Sequence, residues 1–115
     1  MNKRDKDQPL YLISVVCDIL HVHPQTLRLY EKEGLISPHR INKQRLYSDS
    51  DVERLNLILQ LTKELGVNKA GVDIILRMRR RMDAMHREME EMMDFLEEDI
   101  RTEFMERLRK VFTEE

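Results

Sequence analysis

A chain of 115 residues can form one small domain and an appendage, but it is too short for two independent cores. Charged residues make up 37% of it, aromatic residues make up 5%, and Trp is absent, which favours a surface-rich helical protein over a β-sandwich. The net charge of −2 conceals an asymmetry: residues 1–81 contain 15 Lys and Arg against 10 Asp and Glu, whereas residues 82–115 contain 5 against 12. The basic part therefore suggests a polyanionic partner.

The start of the chain gives no sign of export. Residues 1–10 are charged and have the composition of a disordered leader, without the apolar core of a signal peptide. No segment approaches the roughly 20 apolar residues of a membrane helix. The single Cys17 excludes an intramolecular disulfide. Together these features predict a cytoplasmic protein without a membrane partner.

Two short helices follow the leader. Ser14 is a candidate cap for a helix that runs to Leu20. Pro24 suits the first position of a second helix, which would end at Lys32, with Gly34 in the left-handed position after it. Two short helices joined by a turn of about three or four residues predict a helix-turn-helix.

A small wing and a third helix come next. The segments Leu35–Ile36 and Arg45–Tyr47 are extended candidates on either side of a polar, basic loop, and this layout predicts a two-stranded wing. Ser48 followed by Asp51 predicts a capping box. An apolar stripe then continues as far as Leu65, and Asn68 can cap the next helix.

A heptad seam occupies the following helix. Its apolar positions are separated by alternating steps of three and four residues: Ile75, Met78, Met82, Met85, Met89, Met92 and Leu96. One helix cannot bury this seam alone, so the pattern predicts a homodimer, with packing inside one monomer as the alternative. After Leu96 the steps lengthen, which indicates either a stutter or a final helix that folds back.

Several motifs together resemble one family. They are Tyr11-Leu12-Ile13-Ser14, the run from His23 to Leu35 that contains Thr26-Leu27-Arg28-Leu29-Tyr30-Glu31, and Arg45-Leu46-Tyr47-Ser48. This combination resembles the MerR family of bacterial regulators over about residues 11–80. The run from His23 to Leu35, with Leu65-Gly66-Val67-Asn68, is most similar to the HspR branch of heat-shock repressors.

The resemblance implies a fold and a function. The fold would be mainly α: a winged helix-turn-helix DNA-binding domain over residues 11–80, then a long dimerisation helix over residues 81–115 that forms an antiparallel coiled coil. The function would be binding to an inverted repeat in promoter DNA. The HspR branch implies repression of chaperone genes with the Hsp70 chaperone DnaK as co-repressor.

DNA contacts are expected from the second helix and the wing. Gln and Arg side chains can read base edges, and basic residues neutralise phosphates. The resemblance implies that Tyr30 bonds a phosphate through its hydroxyl, and Glu31 is expected to face away from the DNA. The predicted DNA-binding residues are Gln25, Thr26, Arg28, Tyr30, Arg40, Lys43, Arg45 and Tyr47.

Other function classes fit the sequence less well. A metal sensor would need a closed set of ligands, whereas Cys17 and His21 offer two, and Cys17 lies among apolar neighbours that predict burial. No phosphate-binding loop or nucleophile pair suggests an enzyme, and no cofactor is expected. A coiled-coil adaptor that acts only through proteins remains open, and salt-dependent DNA binding would exclude it.

Overall fold

The structure is a computed structural model that describes residues 5–113, and these divide into two compact units between Asp73 and Ile74. The elements in chain order are β1 (Tyr11–Leu12), α1 (Ile13–Leu20), α2 (Pro24–Lys32), β2 (His39–Ile41), β3 (Gln44–Tyr47), α3 (Asp49–Leu59), a π-helical turn (Gln60–Glu64), α4 (Lys69–Met93) and α5 (Glu98–Thr113). Within residues 5–113, no helix combines the length and the low polarity that crossing a membrane requires.

The helix-turn-helix forms as the local signals predict. Pro24 opens α2, and the Nδ1 atom of His23 accepts a hydrogen bond from the Gln25 backbone N–H at 3.1 Å. Gly34 follows α2 with φ +78°, a conformation that glycine adopts at little cost. Ser14 does not cap α1, because the cap position falls at Leu12 and carries no side-chain bond.

The wing belongs to a three-stranded antiparallel sheet in the order β1-β3-β2. The prediction of two strands missed β1, and it placed the first wing strand at Leu35–Ile36, which are buried outside any strand. The β2–β3 turn is formed by Asn42 and Lys43, both at positive φ (51° and 68°), as in a type I′ hairpin.

The first unit has one apolar core. Its fully buried side chains come from both the helices and the sheet: Val16, Leu27, Leu35, Tyr47, Leu55, Ile58 and Val72. The predicted capping box is present, since Ser48 accepts from the Asp51 N–H and Asp51 accepts from the Ser48 N–H, both at 3.0 Å. Leu65 leaves the predicted stripe and is exposed.

Part of the predicted leader is packed on this unit. Residues 1–4 lie outside the described residues. Further along, the backbone N–H of Leu10 donates to the Tyr47 carbonyl at 3.0 Å, and the Lys6 carbonyl accepts from the Ser50 N–H at 2.9 Å. Residues 6–10 are therefore held by backbone hydrogen bonds, which differs from the predicted disorder.

The second unit is a helical hairpin. The predicted long helix ends at Met93, and α5 begins at Glu98 after a turn. The ring of Phe112 meets the ring of His86 edge-on, with 4.6 Å between their centroids. Phe112 lies near the end of α5, and its partner His86 lies seven residues before the end of α4, so α5 runs back along α4. A final helix that folds back is therefore the alternative that the structure adopts.

Candidate nucleic-acid interface

The exposed face of α2 carries side chains suited to reading DNA. Positions 25, 28, 29 and 32 fall within an arc of about 100° on a regular helix. Gln25 and Arg28 are exposed there, while Leu27 and Tyr30 on the opposite side are buried. Thr26 is half-buried at the edge of this face. Helical period therefore separates a polar reading face from the face that anchors the helix.

Two further residues share this face, and the sequence prediction left them out. Lys32 is exposed near the end of α2, and Leu29 exposes about half of its side chain. A cation can meet a phosphate, and an apolar side chain can contact a thymine methyl group. The sequence contains the signal for this shared face, because Leu29 lies four positions after Gln25 and Lys32 lies four positions after Arg28.

The wing is joined to α2 through one carboxylate. One oxygen of Glu31, Oε1, accepts from Nε of Arg45 at 2.7 Å, and the other, Oε2, accepts from Nη2 of Arg40 at 2.9 Å. We call these three residues the Glu31 cluster. Glu31 was expected to face away from the DNA, and in the structure its carboxylate lies against the two wing arginines.

The Glu31 cluster is a strong electrostatic contact. The hydrogen bond from Arg45 is the main cause of the lowered pKa of Glu31, with Arg40 adding to it and burial opposing it. The same bond raises the pKa of Arg45. Arg45 is mostly shielded from solvent, whereas about half of the Arg40 side chain is exposed. Arg40 and Lys43 are therefore the accessible cations of the wing.

Two predicted DNA-contacting tyrosines lie beneath the interface. Tyr30 is 5% exposed, and its hydroxyl lies 3.0 Å from Oγ1 of Thr62 in the π-helical turn. Tyr47 has no exposed surface, because β3 turns it into the core, so the prediction that it touches DNA is wrong for this arrangement. Burial raises the pKa of Tyr47 to about 12, and the nearby Glu31 carboxylate adds to the rise.

Cys17 is a core residue, as predicted. It is 6% exposed, and burial raises the pKa of its thiol. His21 stands just after α1 in a left-handed conformation, so it does not continue the helical spacing from Cys17. Among residues 5–113, no three His, Cys, Asp or Glu side chains come together in a way that could hold a metal ion.

The second unit exposes much of the heptad seam. Five of the seven predicted dimerisation residues keep at least 39% of their surface in contact with solvent: Met78, Met82, Met85, Met92 and Leu96. Ile75 and Met89 are half-buried. The hairpin buries Met93, a neighbour of the seam, and Leu96 lies in the turn beyond the end of α4. Within the described part of the second unit, residues 74–113, the hairpin thus leaves most of the seam exposed.

These features define a class of protein, the winged helix-turn-helix regulators. Residues 11–79 match the family described as MerR HTH family regulatory protein. The chain belongs to the MerR family.

Similar proteins agree with this assignment. The chain is 42% identical over 74 residues to "Putative heat shock protein HspR" of Streptomyces coelicolor, a match that covers 64% of this chain and 49% of the relative. It is 34% identical over 80 residues to "HTH-type transcriptional regulator GlnR" of Bacillus anthracis, with 69% of this chain and 61% of the relative covered. The chain thus spans about half to three-fifths of the length of these curated relatives.

One solved structure supports the fold. It is HiNmlR, described as a MerR family regulator lacking the sensor domain and bound to promoter DNA. The TM-score is 0.56 at 22% sequence identity, and the match covers 88% of this chain and 77% of that chain. At this identity the likeness supports the fold alone.

Proposed function

We propose that this protein is a sequence-specific, DNA-binding transcription regulator. The observation that carries the proposal is the exposed polar face of α2 beside a wing that exposes the cations Arg40 and Lys43. A helix that presents Gln and Arg at its first turns can enter a major groove, while wing cations neutralise phosphates. DNA binding also fits the basic balance of residues 1–81. A promoter-bound regulator would work in the cytoplasm.

Replacement of Arg28 tests the reading helix. Arg28→Ala removes a guanidinium that can bond a guanine, and the expected loss of affinity for a selected duplex is about 5- to 150-fold, from roughly 1–3 kcal/mol per base contact. The matched control is Arg87→Ala, which makes the same change at an exposed position on α4. A mobility-shift titration measures both variants. Equal affinities for the Arg28 variant and the parent would refute the role of this residue.

We also propose that the protein acts as a homodimer through the seam on α4. The exposed methionines on one face support this, because a second copy offers the same face. Met85→Glu combined with Met89→Glu should give monomers in sedimentation, since it places charges in the seam. The double variant Arg80→Gln with Arg87→Gln changes the net charge equally on another face and should remain dimeric. A dimeric Met85/Met89 variant would contradict the proposal.

A two-fold dimer would bind an inverted repeat. Two α2 helices related by a dyad would reach half-sites about 34–36 Å apart, one helical turn of DNA. Footprinting on selected duplexes would report the spacing. Protection of one isolated half-site would argue against the dimeric mode.

The regulon proposed first is the heat-shock response, with repression of chaperone genes. The similarity to the HspR of Streptomyces coelicolor supports it. A genome-wide map of bound sites should include chaperone promoters, and purified DnaK should tighten operator binding if it is a co-repressor. The similarity to GlnR supports the alternative of another regulon, and a map without chaperone promoters would favour that alternative.

A further inference from the structure

We propose that Glu31 is a positioning residue that fixes the wing against the reading helix and so sets the sequence specificity of the proposed DNA-binding surface. The inference rests on the proposed function, but its structural part can be tested without DNA. It assigns Arg45 to the same positioning role and leaves Arg40 as the member of the Glu31 cluster that can reach a phosphate.

The register of the wing places two arginines side by side, and an anion between them is needed to offset their repulsion. Arg40 and Arg45 are direct cross-strand partners in the β2–β3 pair. Like charges at directly opposed positions of an antiparallel pair repel each other and destabilise the pairing. Glu31 contributes one carboxylate oxygen to each guanidinium, which replaces this repulsion with two charge-assisted hydrogen bonds.

The same contacts connect three elements. Glu31 lies near the end of α2, Arg40 lies on β2 and Arg45 lies on β3. Since α2 carries the reading face, a carboxylate bonded to both wing strands fixes the distance between the reading side chains and the wing. A hairpin of two short strands has little stability of its own, so this connection determines where the wing cations lie.

Exposure divides the roles of the two arginines. The side chain of Arg45 is 25% exposed and that of Glu31 is 21% exposed, whereas that of Arg40 is 51% exposed. Water and salt screen the shielded Glu31–Arg45 pair less, so it is the stronger of the two contacts. Arg40 can turn towards a phosphate while Arg45 continues to hold Glu31. Glu31 thus acts through the arginines and does not itself touch DNA.

The test compares Glu31→Gln with Glu33→Gln. Both variants remove one acid near the end of α2, and Glu33 makes no ion pair among residues 5–113. Without DNA, hydrogen exchange of the amides in residues 39–47 should accelerate in Glu31→Gln and remain at the parental rate in Glu33→Gln. Adding Arg40→Gln to Glu31→Gln should restore part of the protection, because the repulsion is removed. Unchanged exchange in Glu31→Gln would overturn the positioning role.

The DNA measurement tests the consequence for specificity. The probes are a duplex selected by the parent protein from a randomised pool and an unrelated duplex of the same length. For Glu31→Gln the ratio of the two affinities should fall about tenfold, with unchanged or tighter binding to the unrelated duplex, because an acid near the phosphates is gone. Glu33→Gln should leave the ratio unchanged. Weaker binding of Glu31→Gln to both duplexes would indicate general damage to the fold and would overturn the role in specificity.

The outcomes separate the two proposals. If the parent protein prefers no selected duplex, the proposed function fails, while the exchange measurement still decides whether Glu31 holds the wing. If exchange accelerates but the affinity ratio stays constant, Glu31 holds the wing without setting specificity, and the inference is overturned.

Discussion

Replacing Tyr30 or Tyr47 by Phe removes the same hydroxyl from a buried ring, yet the structure predicts opposite effects on the free energy of unfolding. Thr62 has one hydroxyl hydrogen, and Oγ1 of Thr62 donates it to the Ile58 carbonyl at 2.8 Å. The Tyr30 hydroxyl must therefore donate to Thr62 across 3.0 Å. Tyr30→Phe loses this bond and should destabilise the protein by about 0.5–1.5 kcal/mol.

Tyr47→Phe should have the reverse effect. Among the described residues, the buried hydroxyl of Tyr47 has no hydrogen-bond partner. An unpaired buried hydroxyl costs roughly 1–3 kcal/mol, while its removal forfeits some packing, so the variant should be more stable by about 1 kcal/mol. Urea unfolding followed by circular dichroism measures both variants at one chain concentration. The comparison requires that the free energy of unfolding fall with urea concentration at the same slope in each protein. Destabilisation of Tyr47→Phe similar to that of Tyr30→Phe would refute the reasoning.

The pH dependence gives the same prediction a second readout. The pKa of Tyr47 is raised from 10.0 to about 12, so the unfolded chain loses the phenolic proton first as the pH rises. Stability linked to this proton is fully present below pH 10 and is lost as the pH rises through 12. The total is roughly 3 kcal/mol, of which about half is lost by pH 11. The advantage of Tyr47→Phe over the parent should grow accordingly, and a constant difference between pH 9 and pH 11 would contradict the shift.

Two further predictions concern single local features. Ser48→Ala removes the capping hydroxyl of α3 and should lower the free energy of unfolding by about 1 kcal/mol in urea titrations, whereas Ser50→Ala should change it by less than about 0.5 kcal/mol. An equal effect of the two would argue against the capping box. Lys43→Gly relieves a side chain held at φ 68° and should stabilise the protein by about 0.5–1 kcal/mol, while Lys43→Ala keeps the strain. If Lys43 contacts a phosphate, both variants should reduce the salt dependence of DNA binding by about one charge, and an unchanged dependence would place Lys43 away from DNA.

The parts of the fold that could be predicted are those determined by neighbouring residues. Pro24 and Gly34 mark the two ends of α2, and Ser48 with Asp51 marks the start of α3. These signals act through backbone groups within a few residues, so they can be read directly along the chain. The polar face of α2 follows from the same local periodicity.

The parts that could not be predicted depend on distant partners. β1 has two residues and pairs with β3, whose partner residue Tyr47 lies 36 positions after Tyr11. A strand of two residues is too short to show the alternation of apolar and polar residues by which strands are predicted. Leu35 and Ile36 were placed in a strand because they are apolar. They are instead buried in the core without pairing to a strand, and an apolar pair of residues fits either environment. The end of α4 at Met93 likewise has no Gly or Pro to mark it.

The Glu31 cluster depends both on local signals and on a distant partner. Once the turn is placed at Asn42 and Lys43, Arg40 and Arg45 are equidistant from it, so an antiparallel hairpin must place them opposite each other. Two guanidiniums on one face of a short hairpin require an anion from a neighbouring element. The sequence offers Glu31 and Glu33 at the end of the adjoining helix, and helical period turns Glu31 towards the side of Tyr30 and Leu27, which faces the core. The choice of turn thus determines the partner of an acid eleven residues away, and an error of one residue in that turn would have hidden the cluster.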